Sequence, residues 1–128
     1  MTSTQRASEQ IIETVTAWPG VTASPGRRGE LAFKVGGIEI GHLHGDHAAH
    51  FVFPRRVWSE LKDEGRIEDH PVFPGRPGLA ARRIEGASDI RDVIALLRLN
   101  YDRVAARTAP ACSARARGRR SPSTRSTS

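Results

Sequence analysis

Cysteine is nearly missing: Cys112 is the one thiol in 128 residues. A single cysteine makes no internal disulfide and no cysteine-based zinc cage, which fits a reducing cytoplasm as the expected location. Aromatic residues are scarce, at 5%. No apolar run approaches the roughly 18–20 residues that cross a bilayer, so no membrane partner is expected. The opening MTSTQRASEQ has no apolar h-region of a secretory signal. G-x-S-x-G, P-loop and G-x-G-x-x-G patterns are also absent, which removes the usual nucleophile elbow and phosphate cradles.

The excess positive charge is unevenly placed. The net charge is +6, which invites a nucleic-acid reading. Seven of the 20 bases, all arginine, lie from Arg103 onward, where no acid stands; the first 102 residues keep 13 bases against 14 acids, a formal charge of −1. The basic stretch has almost no large apolar residue, so it cannot offset the entropy of ordering and reads as disordered. The expected division is a single domain over residues 1–104 and a disordered basic tail over 105–128. Arg115, Arg117, Arg119 and Arg120 would neutralise phosphates weakly and without sequence preference, the only nucleic-acid contact expected.

The body punctuates into short elements. Ser8 is placed to cap a first helix, whose apolar face is Ile11, Ile12, Val15 and Trp18 before Pro19-Gly20 ends it. Val21 to Gly29 reads as a loop. Leu31, Phe33 and Val35 alternate with polar or small residues, and Gly36-Gly37 signals a tight hairpin into a strand over 38–44. A third strand follows from Ala49 to Phe53. Pro54 opens a helix with Val57, Trp58 and Leu61 inward. Residues 67–73 form a Pro-broken extended segment, and a strand runs from Leu79 to Ile84. Ser88 caps a last helix carrying Ile90, Val93, Ile94, Leu97 and Tyr101 on one face. The pattern predicts an α+β two-layer sandwich: a small antiparallel meander sheet packed by helices, in the order α-β-β-β-α-β-α, with a further short strand possible near 67–73.

The chemistry concentrates in His42-Leu43-His44-Gly45-Asp46-His47, with His50 close behind. These letters match H-x-H-x-D-H, the first metal motif of the metallo-β-lactamase superfamily. That family needs further ligands far downstream, and no histidine follows His70, so the metallohydrolase reading is set aside. On a regular strand His42 and His44 share a face with Ile38 and Ile40. A three-residue hairpin loop would put His50 opposite His42 and bring three imidazoles together. A loop of two or four would put Phe51 and Phe53 on the Ile38 and Ile40 face, burying two rings at roughly 1.5–3 kcal/mol each. The hydrophobic pattern favours the second register, with His50 pointing away. His42, His44, Asp46, His70 and Arg55 are then the candidate polar cluster, read as hydrogen-bonded rim residues. No catalytic residue, metal or cofactor is assigned, because two histidines make a poor closed metal site. Arg82 and Arg83 read as solvated surface arginines, like the pair Arg55-Arg56.

The stretch from Gly36 to Pro74 together with DVIALLRLNYDR resembles the luciferase-like domain, a small domain common in high-GC bacteria and otherwise without an assigned function. The matching residues are Gly41-His42-Leu43-His44-Gly45-Asp46, Phe53-Pro54-Arg55, Gly65-Arg66 with His70 and Pro74, and Leu96-Leu97-Arg98 with Tyr101. The chain departs from the family pattern at His50, where an acid is expected, and at Arg76 to Leu79, where an aromatic is expected. The resemblance implies an oxidative, luciferase-type enzyme using His42, His44, Asp46 and His70. The absence of a complete catalytic set points instead to a small ligand- or protein-binding module with an unidentified small molecule or protein as partner.

The charge partition makes one expectation measurable. Deleting residues 105–128 should leave the fold intact and the thermal midpoint nearly unchanged, because the tail has no apolar stripe to dock. Loss of cooperative unfolding in the shortened chain would show that the tail packs.

Overall fold

In the computed structural model, which describes residues 6–108, the chain runs α1 (Ala7–Val15), β1 (Val21–Pro25), β2 (Leu31–Val35), β3 (Ile38–His44), β4 (Ala48–Val52), α2 (Arg55–Asp63), β5 (Glu68–Asp69), β6 (Leu79–Arg83) and α3 (Ala87–Thr108). The strands form one antiparallel sheet in the order β1-β2-β3-β4-β6-β5. This is the expected α+β class, with two strands added to the predicted order. The short strand near 67–73 forms as β5. The other, β1, replaces part of the predicted 21–29 loop. Its Thr22, Ser24 and Pro25 look like loop residues, yet Val21 and Ala23 pair with Val35 and Phe33 and pack on the core. Tertiary pairing overrides weak local propensity there.

One face of the sheet carries the core. Phe33, Val35, Ile40, Leu43, Ala49, Phe51 and Ala80 are buried against Ile11 and Val15 of α1 and against Val93, Leu96, Leu97, Tyr101 and Val104 of α3. Gly36 and Gly37, at φ 59° and 81°, make the β2–β3 turn that positive φ permits. α2 buries Leu61, and its Trp58 Nε1–H donates to the Leu79 carbonyl at 2.9 Å, fixing the helix beside the start of β6. α3 continues through Thr108, past the expected domain boundary at 104; Val104 is buried and Ala105 packs on the core, so deleting 105–128 also removes the last helical turn, and a deletion meant to spare the fold begins at 109. The expectations for Cys112 and for Arg115, Arg117, Arg119 and Arg120 lie outside the described residues. Among the described residues no helix is long and apolar enough to cross a membrane.

A β-bulge in β3 sets which side chains face which way. Phe33 pairs with Gly41 but Lys34 pairs with Glu39, so Ile40 is an extra residue with no partner in the ladder. The alternation of faces slips by one residue. Ile40, Gly41 and Leu43 face the helices, and His42 and His44 face the other way. This corrects the regular-strand expectation, which put the two histidines in line with Ile38 and Ile40. Gly41 is required by contact: a Cβ there would lie 2.6 Å from Leu97 Cδ2 of α3.

Asn100, 1% exposed in the middle of α3, holds the bulge in place. Its Nδ2 donates to the Ile40 carbonyl at 3.1 Å and to the Val52 carbonyl at 3.0 Å, and its Oδ1 accepts from Arg103 at 2.9 Å. Those two carbonyls lie where the β3–β4 ladder has stopped, after His42 and His50. A buried carbonyl without a donor costs roughly 1–3 kcal/mol. Asn100→Ala should therefore lower unfolding free energy by about that amount for the buried Ile40 carbonyl, measured by urea denaturation. An unchanged urea midpoint would show that the bulge does not depend on this amide.

Candidate functional site

The β3–β4 turn contains three residues, Gly45 to His47, with Gly45 at φ 61°. That loop length sets His44 opposite Ala48 and His42 opposite His50. The expected register, with His50 turned away, is therefore corrected. The physical reason is the bulge. Burying Phe51 with Ile40 no longer demands a two- or four-residue loop, because β3 has already changed phase. Phe51 and Phe53 are both buried, and all three histidines face the side of the sheet opposite the helices.

The ring centroids lie 4.9 Å apart for His42 and His44, 5.3 Å for His42 and His50, and 4.3 Å for His44 and His50. One ring nitrogen from each can be chosen so that all three lie within 4.8 Å of one another. Across the sheet, Ala32 pairs with His42 and Ala81 with His50, so a small side chain flanks the cluster on each side. His70 follows β5 and adds a fourth ring, 4.5 Å from His50. These four histidines, with Arg28, Glu30, Val72 and Phe73, line a cavity of about 320 Å³. Val72 and Phe73 are exposed apolar residues that form its outer wall.

Each ring is held differently. His42 Nδ1 lies 2.7 Å from Glu39 Oε2. Residues three apart on a regular strand point to opposite faces, so this pair also depends on the bulge. His70 Nδ1 accepts from the Val72 N–H at 3.1 Å, which puts the proton of the neutral ring on Nε2. His44 Nε2 is enclosed and has no hydrogen-bond partner among the described residues. Burial, and then the neighbouring His44, His70 and His42, push the His50 pKa down from 6.5 to about 4. Burial first and His42 second lower His44 and His70 as well.

The other two members of the expected cluster stand elsewhere. Asp46 accepts from the Ser8 backbone N–H at 2.9 Å. Bonding from the Ser8 side chain and backbone holds its carboxyl below the usual range. It thus satisfies an N–H in the first turn of α1, a turn that Ser8 was expected to cap. Arg55 lines a separate hollow with Arg56, Trp58, Ser59 and Pro77. His47 sits exposed in the turn. The apparent H-x-H-x-D-H unit is therefore divided by the fold: its first two histidines join the cluster, and its aspartate binds a helix end. Arg82 also departs from the solvated reading. It is largely enclosed, reaching Asp89 at 2.6 Å, Asp92 at 2.7 Å and the Arg66 carbonyl at 3.1 Å, and so ties β6 to the start of α3. His50 and Glu39 are the site residues the sequence reading passed over. The signal available for His50 was the three-residue loop alternative.

The lowered histidine pKa values fix the sign of a pH effect. Unfolded histidines protonate near 6.5, whereas folded His50 stays neutral to about 4. The contribution of neutral His50 to stability is complete above about pH 6.5 and is lost as pH drops toward 4, because the unfolded chain takes up a proton that the native state refuses. Thermal midpoints recorded in chelator across that range should decline, and His50→Gln should flatten the decline. A midpoint independent of pH over this window would contradict the enclosed cluster.

Residues 37–100 match the Luciferase domain family, a span that includes β3, β4, His70 and most of α3. No curated protein and no solved structure matches the chain. The matched span is half of the sequence and contains all four clustered histidines, and the chain belongs to the Luciferase domain family.

Proposed function

We propose that this domain is a small-molecule-binding module whose ligand occupies the open face of the sheet, between the histidine cluster and the 70–73 segment. The observation that carries this reading is the cavity of about 320 Å³ with four imidazoles on its floor and Val72 and Phe73 on its wall. Its size lies at the small end of ligand pockets. An apolar wall over a polar floor suits a small planar molecule bearing oxygen donors or acceptors. Histidine rings that served only the fold would be expected to pair their nitrogens, yet His44 Nε2 is enclosed without a partner.

The second reading is an oxidative, luciferase-type enzyme, favoured by family membership together with that unpartnered nitrogen beside the cavity. In this reading His42 and His44 act with His50 and His70, and Asp46 is left to α1. A family name does not by itself carry an activity, so binding is the primary reading.

Binding and structural roles predict opposite results for one substitution. In the metal-free protein, His44→Leu should raise the unfolding free energy by about 1–3 kcal/mol, because it removes an unpaired enclosed nitrogen. Amide chemical shifts moved by small phenols and aromatic acids should cluster at His44, His50, His70 and Phe73 in the parent chain and vanish in the variant. A loss of stability in His44→Leu, with shifts scattered over the surface, would reject the pocket.

A further inference from the structure

We propose that His42, His44 and His50 bind one divalent first-row transition-metal ion, leaving a coordination position open toward the cavity. The inference deepens the pocket reading and rests on it.

Three independent features converge. The first is donor geometry. Three imidazoles from two adjacent strands present nitrogens within 4.8 Å of one another. A metal–nitrogen distance near 2.0–2.1 Å places ligand nitrogens about 3.3 Å apart in a tetrahedral site. Small rotations of the rings close the gap, and the flanking Ala32 and Ala81 leave room for them. The second feature is the unsatisfied Nε2 of His44, whose lone pair a metal would employ. The third is Glu39. Its carboxylate bonds His42 Nδ1 at 2.7 Å, which holds the ring with Nε2 as its ligand nitrogen. A carboxylate on the far nitrogen of a metal-bound histidine is a recurrent arrangement that fixes the tautomer and strengthens the donor. Glu39 is thus a positioning residue.

His70 does not belong to the ligand set. Its Nδ1 accepts the Val72 N–H, so its neutral ring carries a proton on Nε2 and offers a donor rather than a lone pair there. Standing 4.5 Å from His50 at the cavity, it is placed to hydrogen-bond whatever group fills the open position. Three neutral imidazoles suit zinc, copper, nickel or ferrous iron better than magnesium or calcium, which favour oxygen ligands. Three ligands and an open position make a site for exchange or chemistry rather than a closed structural one.

The test uses the full untagged chain, stripped with chelator, dialysed and titrated separately with zinc, cobalt, nickel and copper ions. One equivalent should bind with micromolar or tighter affinity, and cobalt should give the visible absorption of a low-coordinate nitrogen site. His42→Ala, His44→Ala and His50→Ala should each weaken binding at least 100-fold. Glu39→Gln should weaken it roughly 10–100-fold with the fold retained, as loss of an outer-sphere partner does. His70→Gln should preserve stoichiometry but alter the cobalt spectrum, and His47→Ala should change nothing. Absence of stoichiometric binding would overturn the proposal, as would equal weakening by His47→Ala, or stabilisation by inorganic phosphate and by no metal. Fragment binding to the metal-free chain together with no metal binding would reject the metal and leave the pocket standing.

Discussion

The bulge at Ile40 is the constraint on which the rest of the site depends. One residue without a ladder partner shifts the phase of β3. Above it, Ile40 and Leu43 both reach the core although they are three apart; below it, Glu39 and His42 share the opposite face and meet. A regular strand would have offered either a buried histidine row or a broken core. With the bulge, the strand supplies apolar residues to the helices and imidazoles to the cavity. The device works only because α3 accepts it. Gly41 leaves space for Leu97, and Asn100 supplies the hydrogen bonds that the interrupted ladder cannot.

The molecule separates its stability from its site. Core burial lies on the helix side of the sheet, with the Arg82–Asp89–Asp92 ion pairs fastening the start of α3 and the Tyr101 hydroxyl bond to the Pro19 carbonyl at 2.7 Å fastening it further along. Asp46, which the sequence motif would enlist for chemistry, stabilises α1 instead. The opposite face carries the mutually desolvated imidazoles, whose charged forms the fold disfavours. Keeping these rings neutral makes the fold sensitive to acid, because protonation favours the unfolded chain.

Much of the architecture was legible because it rests on local pattern. Gly36-Gly37 announced a hairpin, Pro54 a helix start, and the 3–4 spacing of Ile90, Val93, Ile94, Leu97 and Tyr101 a core-facing helix. The strand β1 was not legible, since Thr22, Ser24 and Pro25 carry turn-like propensities and only pairing with β2 makes them extended. Part of the site was legible too. His42 and His44 stand out by spacing and His70 by the family resemblance, whereas the hydrophobic pattern of a regular strand turns His50 away. Ile38, Ile40, His42 and His44 look like one face when counted by twos, and nothing in that count shows an extra residue.

The sequence by itself determined an α+β domain, the histidine-rich hairpin and the charge split between body and basic end. Each follows from composition or from a period of two or 3.6, which adjacent residues enforce. The tertiary structure alone decided which histidines meet, where Asp46 and Arg55 go, and that Glu39 serves His42. Those outcomes turn on a single unpaired residue in β3, and a bulge is stabilised by partners 60 positions away, Asn100 against Ile40. A contact of that separation leaves no periodic trace in the chain, because it is selected by packing between layers rather than by the preferences of neighbours.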